Sequence, residues 1–328
     1  MKHLKILTII LALLMLLTSA CGQTDQDKKD TAPIIIGYSQ WPGFAAINIA
    51  DQQGFFDAEG VKVQVVVYEL YTDSLNSLVA AKLDAYAGSL GDIITTTANE
   101  TPLTVVWSFD TPTTAEALVG QTSLSGLADL RGKRVGFLSD GYGHLFVDEL
   151  LRQQGLTEAD ITPVDMSPEA VPAALAGGEI DAGHVWEPYV TQAIAGGATV
   201  LATAQDTPGL ILDGLAFRAS VIKDRPDDVR AVVRALSRAM DYWQQNPAEG
   251  NLICAQANGI AETKIADALG GMQIFTLADN QVILDRATSD PRSLYNAGRL
   301  YIDFFQTQGS LQTTPNLDSI INPSFLQG

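Results

Sequence analysis

Apolar and polar positions follow two alternating periods along this chain. Ile34 to Tyr38 is a β-rich run, and Val61, Val63, Val65 and Val67 alternate with Lys62 and Gln64, the period of a half-covered strand. Ala45 to Gln53 reads as a short helix closed by Gly54, and Leu75, Leu78, Val79 and Leu83 mark another helix face. Short strands are predicted over 85–88 and 103–107, with a helix between them to about Ala98. After Asp110 the pattern restarts with an extended segment over 115–119 and a strand over 134–138. The Ser139–Gly143 loop follows, then a helix through Leu145, Val147, Leu150 and Leu151 that Gly155 stops. A strand over 162–165 leads to Ser167-Pro168-Glu169, a helix start with Ser167 as N-cap and proline at the first helical position. Gly177-Gly178 ends that helix, and a strand runs from Ile180 to Trp186. Leu210 to Arg218 is extended again. Pro226 opens a long helix whose Val229, Val232, Val233, Leu236, Met240 and Trp243 form one apolar stripe. Beyond Asn246-Pro247 the chain reads as helical to about Gln308, and the tail from Gln312 to Gly328 as polar and loosely structured.

Strands alternating with helices imply a mostly parallel sheet with right-handed crossovers. The restart implies two similarly wound lobes. Leu83-Asp84-Ala85 before one strand is matched by Ile180-Asp181-Ala182 before another. The extended segments near 115–119 and 210–217 bracket the middle of the chain, as two crossing strands of a hinge would. The expected division is 34–118 with 214–328 in one lobe and 119–213 in the other, with a ligand in the cleft between them and hinge closure over it.

The amino terminus adds a compartment. Lys2 and Lys5 precede the apolar run Ile6–Leu17, which is too short to span a bilayer, and small residues lead to Cys21. Residues 1–20 are expected to be a signal peptide whose end resembles a lipobox, with Thr18 where leucine is usual. Cys21 would then carry lipid, and 21–33 would be a flexible tether. The only other cysteine is Cys254, in an apolar stretch, expected to be a buried small hydrophobe. The formal net charge of -18 argues against nucleic-acid binding, and 46% hydrophobic residues provide for a real core.

Several short motifs recur in an order that resembles bacterial ABC-transporter solute-binding proteins of the aliphatic sulfonate, nitrate, taurine and thiamine-precursor class, the SsuA/THI5-like or NMT1-like group. They are Ile36-Gly37-Tyr38 with Gly54-Phe55-Phe56 and Glu59-Gly60-Val61; Asp129-Leu130-Arg131-Gly132-Lys133-Arg134-Val135-Gly136; Gly178-Glu179-Ile180-Asp181-Ala182; and Trp186-Glu187-Pro188. Arg225-Pro226-Asp227 and Asn246-Pro247 also fit. The resemblance covers about residues 34–250. It implies an α/β, two-lobe type II periplasmic-binding-protein fold with two crossing hinge strands, and delivery of a small solute to a membrane permease whose ATPase is another chain. A monomer without cofactor or metal is expected, extracytoplasmic and lipid-anchored. A ligand sensor for a membrane partner is the rival role.

In open α/β sheets ligands sit at the carboxyl ends of strands. Trp41, Trp107 and Trp186 fall at or just past such ends, whereas Trp243 lies on a helix stripe and is assigned to packing. Gln40, Tyr71, Ser89 and Tyr142 accompany them, with the acidic residues Asp92, Asp140, Glu187 and Asp213. Aromatic faces with carboxylates suit a cation or an amino-bearing heterocycle. The helix start after Ser139–Gly143 would instead suit an anion such as sulfonate or nitrate, with Asp140 placed to cap it. No Lys or Arg follows the strand ends, and Arg218 near the hinge is the nearest. A neutral, cationic or zwitterionic nitrogen or sulfur compound is therefore expected, such as a thiamine-pyrimidine precursor or a taurine-like molecule. Enzymes are disfavoured. Gly37-Tyr38-Ser39-Gln40-Trp41 lacks the second glycine of a nucleophile elbow. Gly126–Lys133 has the wrong spacing for a P-loop, and no zinc-ligand spacing occurs. The cysteine-rich motif of thiamine-pyrimidine synthases in this group is absent.

Overall fold

The computed structural model describes residues 32–99 and 101–327. The expected signal peptide and Cys21 lie outside the described residues. Among the described residues, eleven strands form two sheets, all within one compact unit, Pro33–Gly328. The chain lays down β1 (Ile34–Ser39), β2 (Val63–Tyr68), β3 (Ala85–Ser89) and β4 (Leu103–Pro112) in the first sheet. It crosses to the second with β5 (Glu116–Gly120), β6 (Arg134–Phe137), β7 (Thr162–Asp165), β8 (Ala182–Trp186) and β9 (Thr199–Thr203). It then returns with β10 (Asp213–Arg218) and β11 (Met272–Ile274). The orders are β11-β4-β10-β3-β1-β2 and β7-β6-β8-β5-β9.

Both sheets are wound alike. In each, the first strand of a parallel set of three, β1 or β6, is flanked by the second and third, β2 and β3 or β7 and β8. One antiparallel strand, inserted beside the third, arrives directly from the other sheet: β10 in the first sheet, β5 in the second. The tripeptide match has a structural cause in this winding. Asp84 accepts the backbone N–H of Ile35 at 2.9 Å, and Asp181 accepts that of Arg134 at 2.9 Å. Each aspartate thus satisfies an otherwise orphaned donor at the start of the central parallel strand, β1 or β6. Leu83 and Ile180, beside them, are fully buried. Side chains added at Gly37 and Gly136 would collide with Leu83 and with Met166 and Ile180 respectively, so these motif glycines allow close packing under the strands.

Strands β3, β4, β5 and β8 are buried at every position, whereas β2 and β7 at the edges are partly exposed, as expected for strands covered on both faces by helices. The long helix Pro226–Gln245 buries the predicted stripe, Trp243 included. Some expectations are corrected. β4 does not stop at Trp107 but runs five residues further. β9 and the three-residue β11 were not foreseen: each follows closely on a glycine pair, Gly196-Gly197 or Gly270-Gly271, that masks its start. Ser167 precedes a 3₁₀ turn, Pro168–Ala170, without capping it through its side chain. The tail is ordered rather than loose: Ile320, Ile321, Phe325 and Leu326 are buried, and Asn322 N–H reaches Val105 O at 3.0 Å.

The extension of β4 carries a bulge. Asp213 pairs with Asp110, but the next residue, Gly214, pairs with Ser108. Buried Asn280 accepts from Ser108 N at 2.6 Å and donates to Ser108 O at 2.9 Å, replacing the ladder bonds lost there. Asn280→Ala should cost about 2–4 kcal/mol, because two buried backbone groups lose their partner. Urea denaturation checks this, and a loss below about 0.5 kcal/mol would mean that the bulge holds itself.

Candidate functional site

The parallel strands of both sheets point their carboxyl ends at one pocket. After β1 come Ser39, Gln40, Trp41 and Phe44; β3 ends in Gly88 and Ser89; Tyr71 starts the helix after β2. From the second sheet come Tyr142, which opens the helix Tyr142–Gln153, and Trp186, which ends β8. Antiparallel strands must begin where their neighbours end. The first residues of β10 and β5, Asp213 and Glu116, therefore form the floor, opposite Ser89 and Trp186 in register. In this closed form the cavity measures only about 20 Å³, room for about one water molecule.

Aromatic rings form the walls. Tyr71 meets Trp186 edge-on at 5.3 Å, Tyr142 lies 6.2 Å from Trp186 at 30°, and Phe44 packs on Phe109. The indole N–H of Trp41 points away from the pocket mouth to both oxygens of Asp110, at 3.2 and 3.1 Å. That bond fixes the ring plane.

The electrostatics are one-sided. Asp92, Asp110, Glu116 and Asp213 are all buried, and no Lys or Arg lines the pocket. Burial pushes the Asp92 carboxyl up to about 7, with the Glu116 charge adding and the Tyr142 N–H opposing. Burial pushes Asp110 up to about 8, against the Trp41 donor and with Glu116. Asp213 is raised well above the carboxylate range by burial and then by Asp110, Glu116 and Asp92. Glu116 meets His184 Nε2 at 2.6 Å. No hydrogen-bond donor among the described residues reaches the Asp213 carboxylate. No group of His, Cys, Asp and Glu among them is arranged to hold a metal ion.

Polar contacts bridge the two sheets around this pocket. Asp92, from the helix Leu90–Asn99, accepts from the Tyr142 backbone N–H at 3.2 Å and from the Tyr71 hydroxyl. Glu169 accepts from the Tyr71 N–H at 2.9 Å. The Ser310 hydroxyl donates to Asp140. The cleft is closed, and carboxylates hold it so.

The structure brings together Gln40, Trp41, Tyr71, Ser89, Tyr142, Trp186 and Asp213 of the residues singled out from sequence. Asp92 sits just behind the wall. Trp107 does not line the pocket: it is fully buried in the first sheet, because β4 continues past it. Asp140 faces Ser310 outside, and Gly141, not Asp140, precedes the helix. Glu187 turns back to Thr191, accepting from its N–H at 3.2 Å and its hydroxyl at 2.9 Å. Sequence reasoning missed Phe44, Asp110 and Glu116. The last two lie in or beside the extended segments that were read only as hinge. Cys254 is buried as expected, and burial lifts its thiol to about 12.

The raised carboxyls fix a stability trend. Between the ordinary carboxylate range near 4 and the folded values of about 7 and 8, the folded protein holds protons that the unfolded chain has released. Stability is therefore full at acid pH within this window and falls as pH rises through it. The empty protein should melt several degrees higher at about pH 5 than at about pH 8.5, and Asp110→Asn should narrow the gap. A melting temperature that rises across this window in calorimetry would contradict the burial of these charges.

Comparison with known proteins gives a family. Residues 41–250 match the NMT1/THI5 like family. A Bacillus subtilis protein provisionally named as an aliphatic sulfonates-binding protein is 27% identical, over 72% of this chain and 73% of its own. A 4-amino-5-hydroxymethyl-2-methylpyrimidine phosphate synthase of Aspergillus parasiticus is 24% identical, over 67% of this chain and 68% of its own. Among solved structures, the periplasmic aliphatic sulphonate binding protein SsuA of Escherichia coli superposes with a TM-score of 0.73 at 20% identity, covering 91% of this chain and 94% of its own. The two-sheet architecture is thus the periplasmic-binding-protein fold, and the chain belongs to the NMT1/THI5-like family.

Proposed function

We propose that this protein is the solute-binding subunit of an ABC importer. It captures a small organic solute with a cationic or N–H-rich group and presents it, enclosed, to a permease. The single observation that carries the reading is Asp213: a buried carboxylate on the pocket floor that no hydrogen-bond donor among the described residues reaches. Buried charge is tolerated when it is paired, and a ligand cation or amino group would supply the missing partner. The rings of Trp41, Tyr71, Tyr142 and Trp186 would hold the remainder of the solute by apolar and cation–π contact. Gln40 and Ser89 would add polar contacts, and Asp92 would hold the cleft shut.

The relatives' names suggest a sulfonate, and the family also contains a named synthase. A sulfonate here would face two floor carboxylates without a basic residue. The Tyr142 N–H, the helix-start donor it would use, is already given to Asp92. A synthase would need a nucleophile or an acid–base pair on the solute. Among the described residues, His184 serves Glu116, and the one cysteine is buried behind Pro42. These observations favour capture over anion binding or catalysis. We further infer that 34–118 with 214–328 and 119–213 act as lobes hinged at the crossing segments, that the protein works as a monomer, and that lipid on Cys21 tethers it outside the cell membrane through residues 21–33. No described helix is long and apolar enough to cross a membrane.

Mass spectrometry of solute that co-purifies with the full chain should find an amine, amidine or nitrogen heterocycle. In calorimetry with that compound, Asp213→Asn should weaken binding about 10- to 100-fold, the value of one charge-assisted hydrogen bond. Tight nitrate or alkanesulfonate binding with no response to amines or pyrimidines would overturn the reading. For the anchor, Cys21→Ser should move the protein from the membrane to the soluble fraction. An unchanged distribution would show that lipid on Cys21 is not what holds it.

A further inference from the structure

The floor of the pocket contains an arrangement that capture alone does not require. Asp110 and Asp213 are opposite each other in register on antiparallel β4 and β10, so their side chains leave the same face of the sheet. Asp110 is 0% exposed and Asp213 8%. Like charges placed opposite each other repel, and in a buried site they repel strongly. Only one side of this pair has a donor: Trp41 gives its indole N–H to both oxygens of Asp110. Every other group acting on the pair is acidic or neutral. Glu116 faces it from β5, with His184 of β8 and the Tyr142 phenol committed to that carboxylate; Asp92 faces it from its helix, and the phenols of Tyr86, Tyr142 and Tyr301 act on Asp213.

We propose that Asp110 and Asp213 share one proton while the pocket is empty, and that an incoming solute cation replaces that proton. The exchange balances. One positive charge enters beside Asp213, one proton leaves to solvent, and the net charge of the floor stays constant. Asp110 does not line the pocket, so it is a positioning and specificity-determining residue acting through Asp213 and Trp41. It allows the empty site to exist without an uncompensated charge. A neutral solute would leave the proton in place, and an anion would have nothing to exchange. Capture of a cation therefore strengthens as pH rises, as the competing proton becomes scarce. This inference rests on the cationic-solute reading.

The test uses the full mature chain carrying Asp92→Asn, which removes the other buried carboxyl that titrates at about 7, dialysed free of solute, with the benzamidinium cation as probe. Carbonyl-stretch infrared spectra at about pH 7 read a neutral carboxylic acid directly. The expected result is an acid band that is retained in Trp41→Phe, which keeps both carboxyls, and that disappears at lower pH in Asp110→Asn and in Asp213→Asn, where the carboxyl that remains has lost its like-charged neighbour. Saturating benzamidinium should remove the band, with about one proton released per cation bound. If no acid band exists across about pH 6–8 and benzamidinium still binds, the shared proton is overturned and the cationic reading stands. If benzamidinium leaves the band in place, the exchange is overturned. If an alkanesulfonate then binds the protonated pocket, the cationic reading falls with it.

Discussion

Carboxylates held out of water without a protein cation are the constraint on which this structure turns. Asp92, Asp110, Glu116 and Asp213 gather at the cleft because of strand direction. Each sheet inserts one antiparallel strand from the other half, and such a strand must start at the edge where its parallel neighbours end. The first residues of β5 and β10 thus arrive at the ligand edge as a matter of topology. That both are acidic is this sequence's own choice. Burial costs the charged form, and the protein offsets it with the few donors at hand: Trp41 for Asp110, Tyr71 and Tyr142 for Asp92, His184 for Glu116. Asp213 has none.

The same groups link recognition to closure. Asp92 accepts across the cleft from the first backbone N–H of a second-sheet helix, and Glu169 from that of Tyr71. A free helix start of this kind is suited to an anion. Here it is spent on Asp92, and the pocket is lined by aromatic rings and by the floor carboxylates Glu116 and Asp213. The fold is shared with a sulphonate-binding protein, but no Lys or Arg lines this pocket. Fold alone therefore does not carry the ligand across.

Much of this was legible in the sequence, and the misses are instructive. Trp41 and Trp186 could be placed because the strands before them end within one or two residues at loop chemistry. Trp107 could not, since β4 continues through Ser108, Asp110 and Thr111. Those polar residues look like a strand's end, but they are buried beside Asn280, Trp41 and the Ile211 carbonyl, partners remote in sequence. Glu116 and Asp110 were missed for the same reason: their importance comes from cross-strand neighbours, which periodicity does not reveal. The tail shows a third limit. Ile320, Ile321, Phe325 and Leu326 are too few to set a period, but they complete the first sheet's core through Val105. The Asp84 and Asp181 tripeptides were visible as a match, and only the hydrogen bonds to Ile35 and Arg134 explain it.

A crystal structure of the protein with the solute it carries when purified natively would test the central claim most directly. The account predicts a donor nitrogen of that solute within hydrogen-bond distance, about 2.7–3.2 Å, of the Asp213 carboxylate, with its body against Trp41 and Trp186. An anionic group seated near Asp213, or a solute bound with Asp213 left unpaired, would contradict it.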